Sequence, residues 1–359
     1  MRFNLPVLVY QEKNCVHNHA DEIAQMGKNA LIVTGRNSSK KNGSLDDVIN
    51  ALKSKNIKYT VYDGVEENPS VETVMEAREI GVKAGCDFII GIGGGSPMDA
   101  AKAIGVMIYH KNENKDFLYK SVSNSQSLPV IEVPTTCGTG SEVTTVAVLT
   151  VHNEKTKKSM SHRIFPRMAL VDEKYIKNAP LKVICDTAID ALAHIVESCI
   201  NNNATEYSKM FAKEGLEAWS KFKDVLLGNR EATDEDFHNM MYASTLAGMC
   251  IAHAGTSLPH GLSYPITYEL GIPHGKAVGY FLPGYINEAT DEDKEFVLKA
   301  AGFESVEEFS KFYKKVCGYE KFPQELLDKT GELILSNQRK LANCPYKVDA
   351  EVIKNIISF

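Results

Sequence analysis

The chain has 359 residues, of which 43% are hydrophobic and 24% are charged, and its formal net charge is -6. This composition is typical of a globular protein, and the length indicates two domains because single cores usually stop growing near ~250–300 residues. The acidic balance excludes the basic surface of a nucleic-acid-binding protein, and no run of ~18–20 apolar residues indicates a membrane span. Eight scattered cysteines without a CxxC pair, and an N-terminus without a signal-peptide pattern, lead us to expect a cytoplasmic protein with reduced thiols.

A basic loop follows the first predicted strand. Residues 30–34 form a short apolar run typical of a buried strand, and ligands bind beyond the carboxyl ends of such strands in open α/β sheets. An NAD site commonly has a carboxylate here, which holds the ribose 2′-hydroxyl and repels a 2′-phosphate, but this loop has glycine, hydroxyl and basic residues instead. The pattern favours NADP(H), and a solvated basic loop without a ligand explains it equally well. The candidate coenzyme residues are Gly35, Asn37, Ser38, Ser39 and Lys40.

The next elements alternate between helix and strand. We predict a helix over 44–53, a strand over 57–62, a helix over 70–84 with Ser70 as its N-cap, and a strand over 87–90. This βαβαβ order predicts a parallel sheet with crossover helices.

A glycine-rich turn follows the strand over 87–90. The run of glycines allows unusual backbone angles and close approach of a ligand, and the next residues suit a helix start with Ser96 as the N-cap. Backbone N–H groups and the positive end of the helix dipole would then point at one place, which suits phosphate. The spacing matches neither GxGxxG nor the P-loop, and a tight βα connection without a ligand is the alternative. The candidate residues are Gly93, Gly94, Gly95, Ser96 and Asp99, with Lys102 one turn further to offset the charge of Asp99.

A second polar loop follows the strand predicted over 128–133. Five hydroxyl side chains and two glycines within 134–144 suit hydrogen bonds to phosphate or ribose oxygens, and a Ser/Thr-rich turn has the same composition. Strands are also predicted over 146–151 and 168–171, with a charged turn over 154–158 whose lysines could reach the phosphates. The candidate coenzyme residues are Thr135, Thr136, Thr139, Ser141 and Lys158.

The pattern becomes helical after about residue 180. Helices are predicted over 183–200, 206–226, 234–254, 295–301, 306–317, 324–333 and 349–357. We therefore predict a dinucleotide-binding α/β domain over residues 1–180 and a helical metal-binding domain over residues 181–359.

Four residues of the helical part carry a metal-ligand pattern. Asp190 and His194 are four residues apart in a predicted helix, so their side chains share one face, although such a pair is more often simply hydrogen-bonded. His260 and His274 each follow a proline and precede a glycine, in segments that we predict to be irregular. One carboxylate and three imidazoles suit a divalent transition metal, Fe(II) or Zn(II), rather than Ca²⁺ or Mg²⁺.

The joint pattern resembles a known family. GGGSPMDAAK (93–102), PTTCGTGSE (134–142), DALAH (190–194) and His260 with PHG (273–275) are similar to motifs of the iron-dependent (group III) alcohol dehydrogenases, closest to the NADP-using 1,3-propanediol and butanol dehydrogenase branch. The resemblance covers nearly the whole chain. It implies a Rossmann-like N-terminal domain and a helical C-terminal domain (a dehydroquinate synthase-like fold), with the active site in the cleft between them, and a homodimer.

The resemblance also implies roles for individual residues. The expected metal ligands are Asp190, His194, His260 and His274; Gly94, Gly95, Ser96 and Asp99 are expected at the pyrophosphate; Thr135, Thr136 and Ser141 are expected to line the coenzyme cleft, with Lys158 nearby. Gly35 stands where NAD-selecting relatives have aspartate. Two residues depart from the family pattern: Cys137 replaces an alanine, and Tyr264 replaces a histidine found in many members.

The sequence thus predicts reversible oxidation of a small primary alcohol or diol to an aldehyde. The hydride would pass to or from NADP(H), and Fe(II), or else Zn(II), would act as a Lewis acid. The alternatives are a glycerol dehydrogenase-like enzyme with zinc and NAD, a dehydroquinate synthase, and a non-catalytic metal- or nucleotide-binding protein. The synthase is disfavoured because the helical half has few basic residues near the ligands. We expect no nucleic-acid or membrane partner.

Overall fold

The computed structural model describes residues 4–359. The strands are β1 Leu8–Gln11, β2 Asn29–Gly35, β3 Lys58–Val65, β4 Phe88–Gly93, β5 Val130–Pro134, β6 Val148–Val151, β7 Thr156–Ser159 and β8 Met168–Val171. The α-helices are α1 Cys15–Asn18, α2 Ala20–Ala24, α3 Ser38–Lys41, α4 Ser44–Ser54, α5 Val71–Ala84, α6 Gly95–Tyr109, α7 Leu181–Cys199, α8 Glu206–Ser220, α9 Lys223–Leu226, α10 Asp234–Ala254, α11 Leu258–Leu270, α12 His274–Asn287, α13 Asp291–Ala301, α14 Val306–Cys317, α15 Gln324–Ser336, α16 Gln338–Asn343 and α17 Ala350–Ser358.

The described residues form two compact units. The α/β unit comprises residues 5–136 and 140–179, and the helical unit comprises Asn4, residues 137–139 and residues 180–359.

A six-stranded parallel sheet in the order β1-β8-β5-β4-β2-β3 is the centre of the α/β unit. Successive residues of β2 point to opposite faces, as the pleat requires. Leu31 and Val33 pack in the core shared with α5 and α6, whereas Ala30 and Ile32 pack in the core shared with α1, α2 and α4. Both faces are therefore buried, and the predicted parallel sheet with crossover helices is confirmed.

One predicted turn of the α/β unit is wrong. Residues 156–158 of the expected charged turn belong to β7, which pairs antiparallel with β6. The turn itself lies just before, where Lys155 adopts a left-handed φ of 49°. Cross-strand pairing outweighed the high charge of this segment because the lysine side chains of an exposed two-stranded ribbon keep access to water.

Helix α7 is the central element of the helical unit, where it packs against α8, α10 and α12. The indole nitrogen of the buried Trp219 on α8 donates a 2.7 Å hydrogen bond to the carbonyl oxygen of Ala188, which ties the two helices together. The helical pattern predicted for this half is confirmed, with the addition of α11, α12 and α16. No helix within residues 4–359 combines the length and the hydropathy that a membrane crossing requires.

Candidate metal and coenzyme sites

Three of the four predicted metal ligands converge in the helical unit. Asp190 lies on α7, His260 in the first turn of α11, and His274 at the start of α12. One ligand atom from each lies within 4.8 Å of the other two. Nε2 of His260 is 3.5 Å from Oδ1 of Asp190, and Nε2 of His274 is 3.9 Å from it. His194, the fourth predicted ligand, stacks on the ring of His260 with the centroids 4.3 Å apart.

The atoms that face one another in this cluster suit a divalent cation. Asp190 is 3% exposed and His260 is 2% exposed, yet Oδ1 of Asp190 and Nε2 of His260 have no hydrogen-bond partner within residues 4–359. Buried polar atoms are normally paired, so these two indicate that a ligand completes the set. A carboxylate with imidazoles is the donor set of Fe(II) and Zn(II) sites, and the residues fit such an ion.

The charge states of the cluster also suit a metal. Burial raises the pKa of Asp190, but the histidines around it, His194 first, outweigh burial and hold that pKa well below its usual range. Burial lowers the pKa of His194, which favours its neutral ring, whereas the carboxylates of Glu197 and Asp190 outweigh burial and raise the pKa of His260. An ionised carboxylate and a neutral imidazole are the forms that bind metal.

The segments around His260 and His274 were predicted to be irregular, which is wrong. Both histidines lie in the first turn of a helix, α11 or α12. Pro259 is the second residue of α11, and Pro273 immediately precedes α12. Proline is tolerated there because the first N–H groups of a helix have no partner within the helix, so the two prolines start helices rather than prevent them.

Gly275 has a packing role next to His274. A Cβ atom at this position would lie 1.8 Å from the carbonyl oxygen of Asp186 on α7. No side chain is possible at this distance, so glycine allows the start of α12 to approach α7 closely enough for His274 to reach Asp190.

Glu197 is a functional candidate that the sequence analysis missed. It is fully buried on α7 and accepts hydrogen bonds from the backbone N–H groups of Ser257 (3.0 Å) and His260 (3.1 Å). Its second oxygen accepts a short hydrogen bond from Nδ1 of His260. The signal in the sequence is the spacing, because positions 190, 194 and 197 are i, i+4 and i+7 on one helix face.

The glycines of the turn between β4 and α6 allow close packing that a side chain would prevent. Gly93 ends β4 with a φ of 152°, and a Cβ atom there would lie 2.5 Å from Cγ of Pro97. A Cβ atom at Gly94 would lie 3.0 Å from the side chain of Thr136. Gly94 is the N-cap of α6, so the helix begins before Ser96, which instead accepts a 3.0 Å hydrogen bond from the N–H of Asn68. Gly94, Gly95 and Ser96 at the start of α6 are half-exposed, which suits an anion site at this helix N-terminus.

Asp99 and Ser141 contact each other. Oγ of Ser141 donates a 2.6 Å hydrogen bond to Asp99, whose other oxygen accepts a 2.8 Å bond from the N–H of Val148. The buried Lys102 donates to Oγ of Ser141 at 2.6 Å, to its carbonyl oxygen at 2.7 Å and to the carbonyl oxygen of Val146 at 2.9 Å. Asp99 and Ser141 therefore act at least in part by fixing the shape of the turn.

The basic loop after β2 contains a short helix and an acidic partner. Gly35 ends β2, Asn37 is the exposed N-cap of α3, and Ser38 is exposed on that helix. Ser39 is buried and accepts a 2.8 Å hydrogen bond from Thr34. Lys40 forms a 2.5 Å ion pair with Asp63 of β3. Sequence reasoning missed Asp63 because it is distant along the chain and adjacent only through the pairing of β2 with β3.

Residues 135–139 divide between the two units. Thr135 is buried in the α/β unit, where its N–H donates a 2.8 Å bond to the carbonyl oxygen of Gly93, and Thr136 lies beside Gly94. The buried hydroxyl of Thr135 has no hydrogen-bond partner in the described chain, 4–359. Residues 137–139, which include the half-buried Thr139, belong to the helical unit. There the carbonyl oxygen of Gly138 accepts a 3.2 Å hydrogen bond from Nδ1 of His194.

Of the two lysines on β7, Lys157 is the one connected to the start of α6. Lys158 pairs with Glu154 at 3.3 Å and lies over the ring of Tyr119, 4.9 Å from its centroid. Lys157 donates a 2.8 Å hydrogen bond to Oδ1 of Asn68, whose N–H in turn binds Ser96.

The structure shows the contacts of Cys137 and Tyr264, the two residues that depart from the family pattern. Cys137 is buried, its sulfur is 3.4 Å from Oγ1 of Thr187, and burial raises its pKa to about 11. The thiol therefore stays protonated and poorly reactive at neutral pH. Tyr264 stacks on His274 with ring centroids 5.7 Å apart and an interplanar angle of 23°, so it forms an aromatic wall beside the cluster.

Two family models cover most of the chain. The model of the iron-containing alcohol dehydrogenases matches residues 6–173, and that of the C-terminal domain of the Fe-containing alcohol dehydrogenase family matches residues 184–334. The NADPH-dependent butanol dehydrogenase of Clostridium saccharobutylicum is 30% identical over 348 residues, which span 95% of this chain and 84% of the relative. The 1,3-propanediol dehydrogenase of Citrobacter freundii is 34% identical over 263 residues, 72% of this chain and 67% of the relative.

Solved structures agree with this assignment. The crystal structure of an iron-containing alcohol dehydrogenase from Thermotoga maritima superposes with a TM-score of 0.91 at 38% sequence identity, and the match covers 99% of this chain and 98% of that one. The family predicted from the four motifs is thereby confirmed. The chain belongs to the iron-containing alcohol dehydrogenase family and is an oxidoreductase that acts on alcohols.

Proposed function

We propose that the enzyme reversibly oxidises a small primary alcohol or diol to the aldehyde with NADP(H). Asp190, His194, His260 and His274 would hold Fe(II), with Zn(II) as the alternative. The observation that carries the proposal is the buried pair of unpartnered atoms, Oδ1 of Asp190 and Nε2 of His260, that face each other within this set. When bound, such an ion acts as a Lewis acid toward the alcohol or aldehyde oxygen.

The protein residues would fix the ligands in the form that the metal needs. Nδ1 of His194 faces the carbonyl oxygen of Gly138, and Nδ1 of His260 faces the carboxylate of Glu197, so both rings carry their proton on Nδ1. In the neutral form of each ring, Nε2 is then the unprotonated nitrogen. The stacked ring of Tyr264 would limit rotation of His274.

The α/β unit would bind the coenzyme. The N–H groups of the half-exposed first residues of α6 would bind the pyrophosphate, with Gly93 and Gly94 allowing close approach of the backbone. The unpartnered hydroxyl of Thr135 would add a hydrogen bond. This assignment supports a division into a dinucleotide-binding domain, residues 1–180, and a metal-binding domain, residues 181–359.

The test combines metal analysis with turnover. Protein purified without oxygen should contain about one iron or zinc ion per chain and should oxidise NADPH with butanal, measured at 340 nm. His260→Ala and His274→Ala should lose the metal and reduce turnover by about 10³-fold, because the Lewis acid supplies several kcal/mol. His238→Ala, which changes an exposed histidine of α10, is the matched control and should leave both unchanged. Retained turnover in both ligand variants would refute the proposal.

The preference for NADP(H) has a separate test. A Cβ atom at Gly35 would meet only the carbonyl oxygen of Val65, at 3.4 Å, so an aspartate fits there. Gly35→Asp should lower the ratio of kcat/KM for NADPH to that for NADH by about tenfold, because a new carboxylate repels the 2′-phosphate. A wild-type enzyme that is as efficient with NADH as with NADPH would contradict this part of the proposal.

One observation favours NAD(H) as a second candidate. Asp63 neutralises Lys40 and places a carboxylate at the end of the neighbouring strand. Asp63→Asn separates the candidates. If Lys40 binds the 2′-phosphate, this variant should increase the preference for NADPH by a few-fold, since an exposed ion pair contributes only about 0–1 kcal/mol. If Asp63 binds the ribose, the variant should bind NADH more weakly than the wild type does.

A further inference from the structure

Glu197 connects two helices of the metal cluster. One of its oxygens accepts both backbone N–H groups, from Ser257 and from His260, at 3.0 and 3.1 Å. Ser257 is the N-cap of α11 but makes no cap bond with its own side chain. A carboxylate of α7 therefore caps α11, at the helix end where negative charge is favourable.

The same carboxylate determines which nitrogen of His260 is free. Its second oxygen receives the Nδ1 proton of His260, and Nε2 on the other side of the ring faces Oδ1 of Asp190 at 3.5 Å. An ionised carboxylate only accepts hydrogen bonds, so Nδ1 carries a proton in this contact. In the neutral ring Nε2 is then the unprotonated nitrogen, and the contact fixes the plane of the ring.

We propose that Glu197 is a positioning residue of the metal centre, which aligns His260 and keeps Nε2 of its ring available for the metal. This inference rests on the proposed role of His260 as a ligand. It goes further because Glu197 would set the affinity for the metal without touching it.

The turn before α11 has other supports besides Glu197. The carbonyl oxygen of Thr256 accepts a 2.8 Å hydrogen bond from Asn343, and its hydroxyl accepts a 2.5 Å bond from Lys340. Neither Asn343 nor Lys340 bonds to His260. Asn343 therefore offers a matched control on the same turn.

Glu197→Gln is the most direct test because glutamine has nearly the same shape. Its amide oxygen can still accept from Ser257 and His260, but its NH₂ group now faces Nδ1 of His260 and donates. The ring must then carry its proton on Nε2, where the metal would bind. We expect metal affinity, measured by chelator competition with Zn(II) and Fe(II), to fall about 10–100-fold, while the melting temperature of the metal-free protein changes little.

Two further variants distinguish positioning of the His260 ring from general stabilisation of the turn before α11. Glu197→Asp keeps both acceptor oxygens and should recover part of the affinity, and it replaces Glu197→Gln as the test if that variant does not fold. Asn343→Ala should lower the melting temperature of the metal-free protein and leave metal affinity within about twofold. Equal affinity of wild type and Glu197→Gln, or losses of affinity that follow the losses of melting temperature in all three variants, would overturn the inference.

His260→Ala keeps this test separate from that of the proposed function. If His260→Ala loses the metal and Glu197→Gln keeps it, the inference fails and the ligand assignment stands. If His260→Ala binds metal as tightly as wild type, the ligand assignment fails, and the inference with it.

Discussion

Two buried clusters of charged groups, one in each unit, differ in how completely they are hydrogen-bonded. In the α/β unit, Lys102 is fully buried and donates to three oxygen atoms of Ser141 and Val146 within 3.0 Å. In the helical unit, Asp190 and His260 are equally buried, but the atoms through which they face each other have no hydrogen-bond partner in the part of the chain that the structure describes. An unpaired buried polar group costs about 1–3 kcal/mol. The complete set thus indicates a structural role, and the incomplete set indicates a ligand site.

The largest effect on stability should come from a substitution of Lys102 in the complete set. Lys102→Met removes the four hydrogen bonds of the ammonium group and the cation 3.7 Å from Asp99, and the carbonyl oxygen of Val146 loses its lysine donor. Breaking one side of a buried charged pair costs about 3–5 kcal/mol. Urea denaturation of the metal-free protein should show this loss in the free energy of unfolding.

The control for Lys102 is a lysine that follows the same helix. Lys111 is exposed, so Lys111→Met should change the free energy of unfolding by no more than about 0.5 kcal/mol. A loss of less than about 1 kcal/mol in Lys102→Met would break the comparison, because the network would then contribute no more than an ordinary surface contact.

At the incomplete set, that of Asp190 and His260, metal binding should instead stabilise the folded protein. At a free metal concentration of 100 times Kd, binding stabilises the folded state by about 2.7 kcal/mol. Thermal unfolding with and without Zn(II) should show this increment in the wild type and in Lys111→Met, and no increment in His260→Ala. An equal increment in His260→Ala would place the stabilising metal elsewhere.

The sequence predicted the features that depend on residues close together in the chain. The buried strand and glycine turn around Gly93 were predicted, and so was the i, i+4 pair of Asp190 and His194. Both follow from local backbone geometry, in which a spacing or a glycine run has one main structural meaning.

The features that were missed depend on distant contacts. Glu197 contacts His260, 63 residues away, and Asp63 of β3 pairs with Lys40 of α3, the helix that follows the neighbouring strand β2. The helix starts at His260 and His274 were missed because proline was taken as a sign of irregular structure, although it also begins helices. No spacing within a single sequence shows that Glu197 contacts His260 or that Asp63 contacts Lys40.

A half-buried lysine of the helical unit extends the comparison to pH. Lys340 of α16 donates to Oγ1 of Thr256 at 2.5 Å, and burial lowers its pKa to about 8. Because this pKa is below the ordinary value of a lysine, the folded protein releases the proton at a lower pH than the unfolded chain does. The unfolded chain then holds more protons between pH 8 and about 10.4, so stability should rise with pH in this range.

Lys340→Met provides the control for the pH effect. The difference in free energy of unfolding between wild type and this variant, measured by urea denaturation from pH 7 to 10, should shift in favour of the wild type as pH rises. A constant difference would show that Lys340 keeps its proton in the folded protein, as a lysine with a full set of acceptors would.

The smallest effect should come from Ser141→Ala, which removes one member of the Lys102 network. Lys102 keeps two carbonyl oxygens, and Asp99 keeps the N–H of Val148 at 2.8 Å, so no charged group loses its last partner. The expected cost is that of ordinary hydrogen bonds, about 1–2 kcal/mol. If Ser141→Ala destabilises the protein as much as Lys102→Met does, the hydroxyl, and not the lysine, holds the network together.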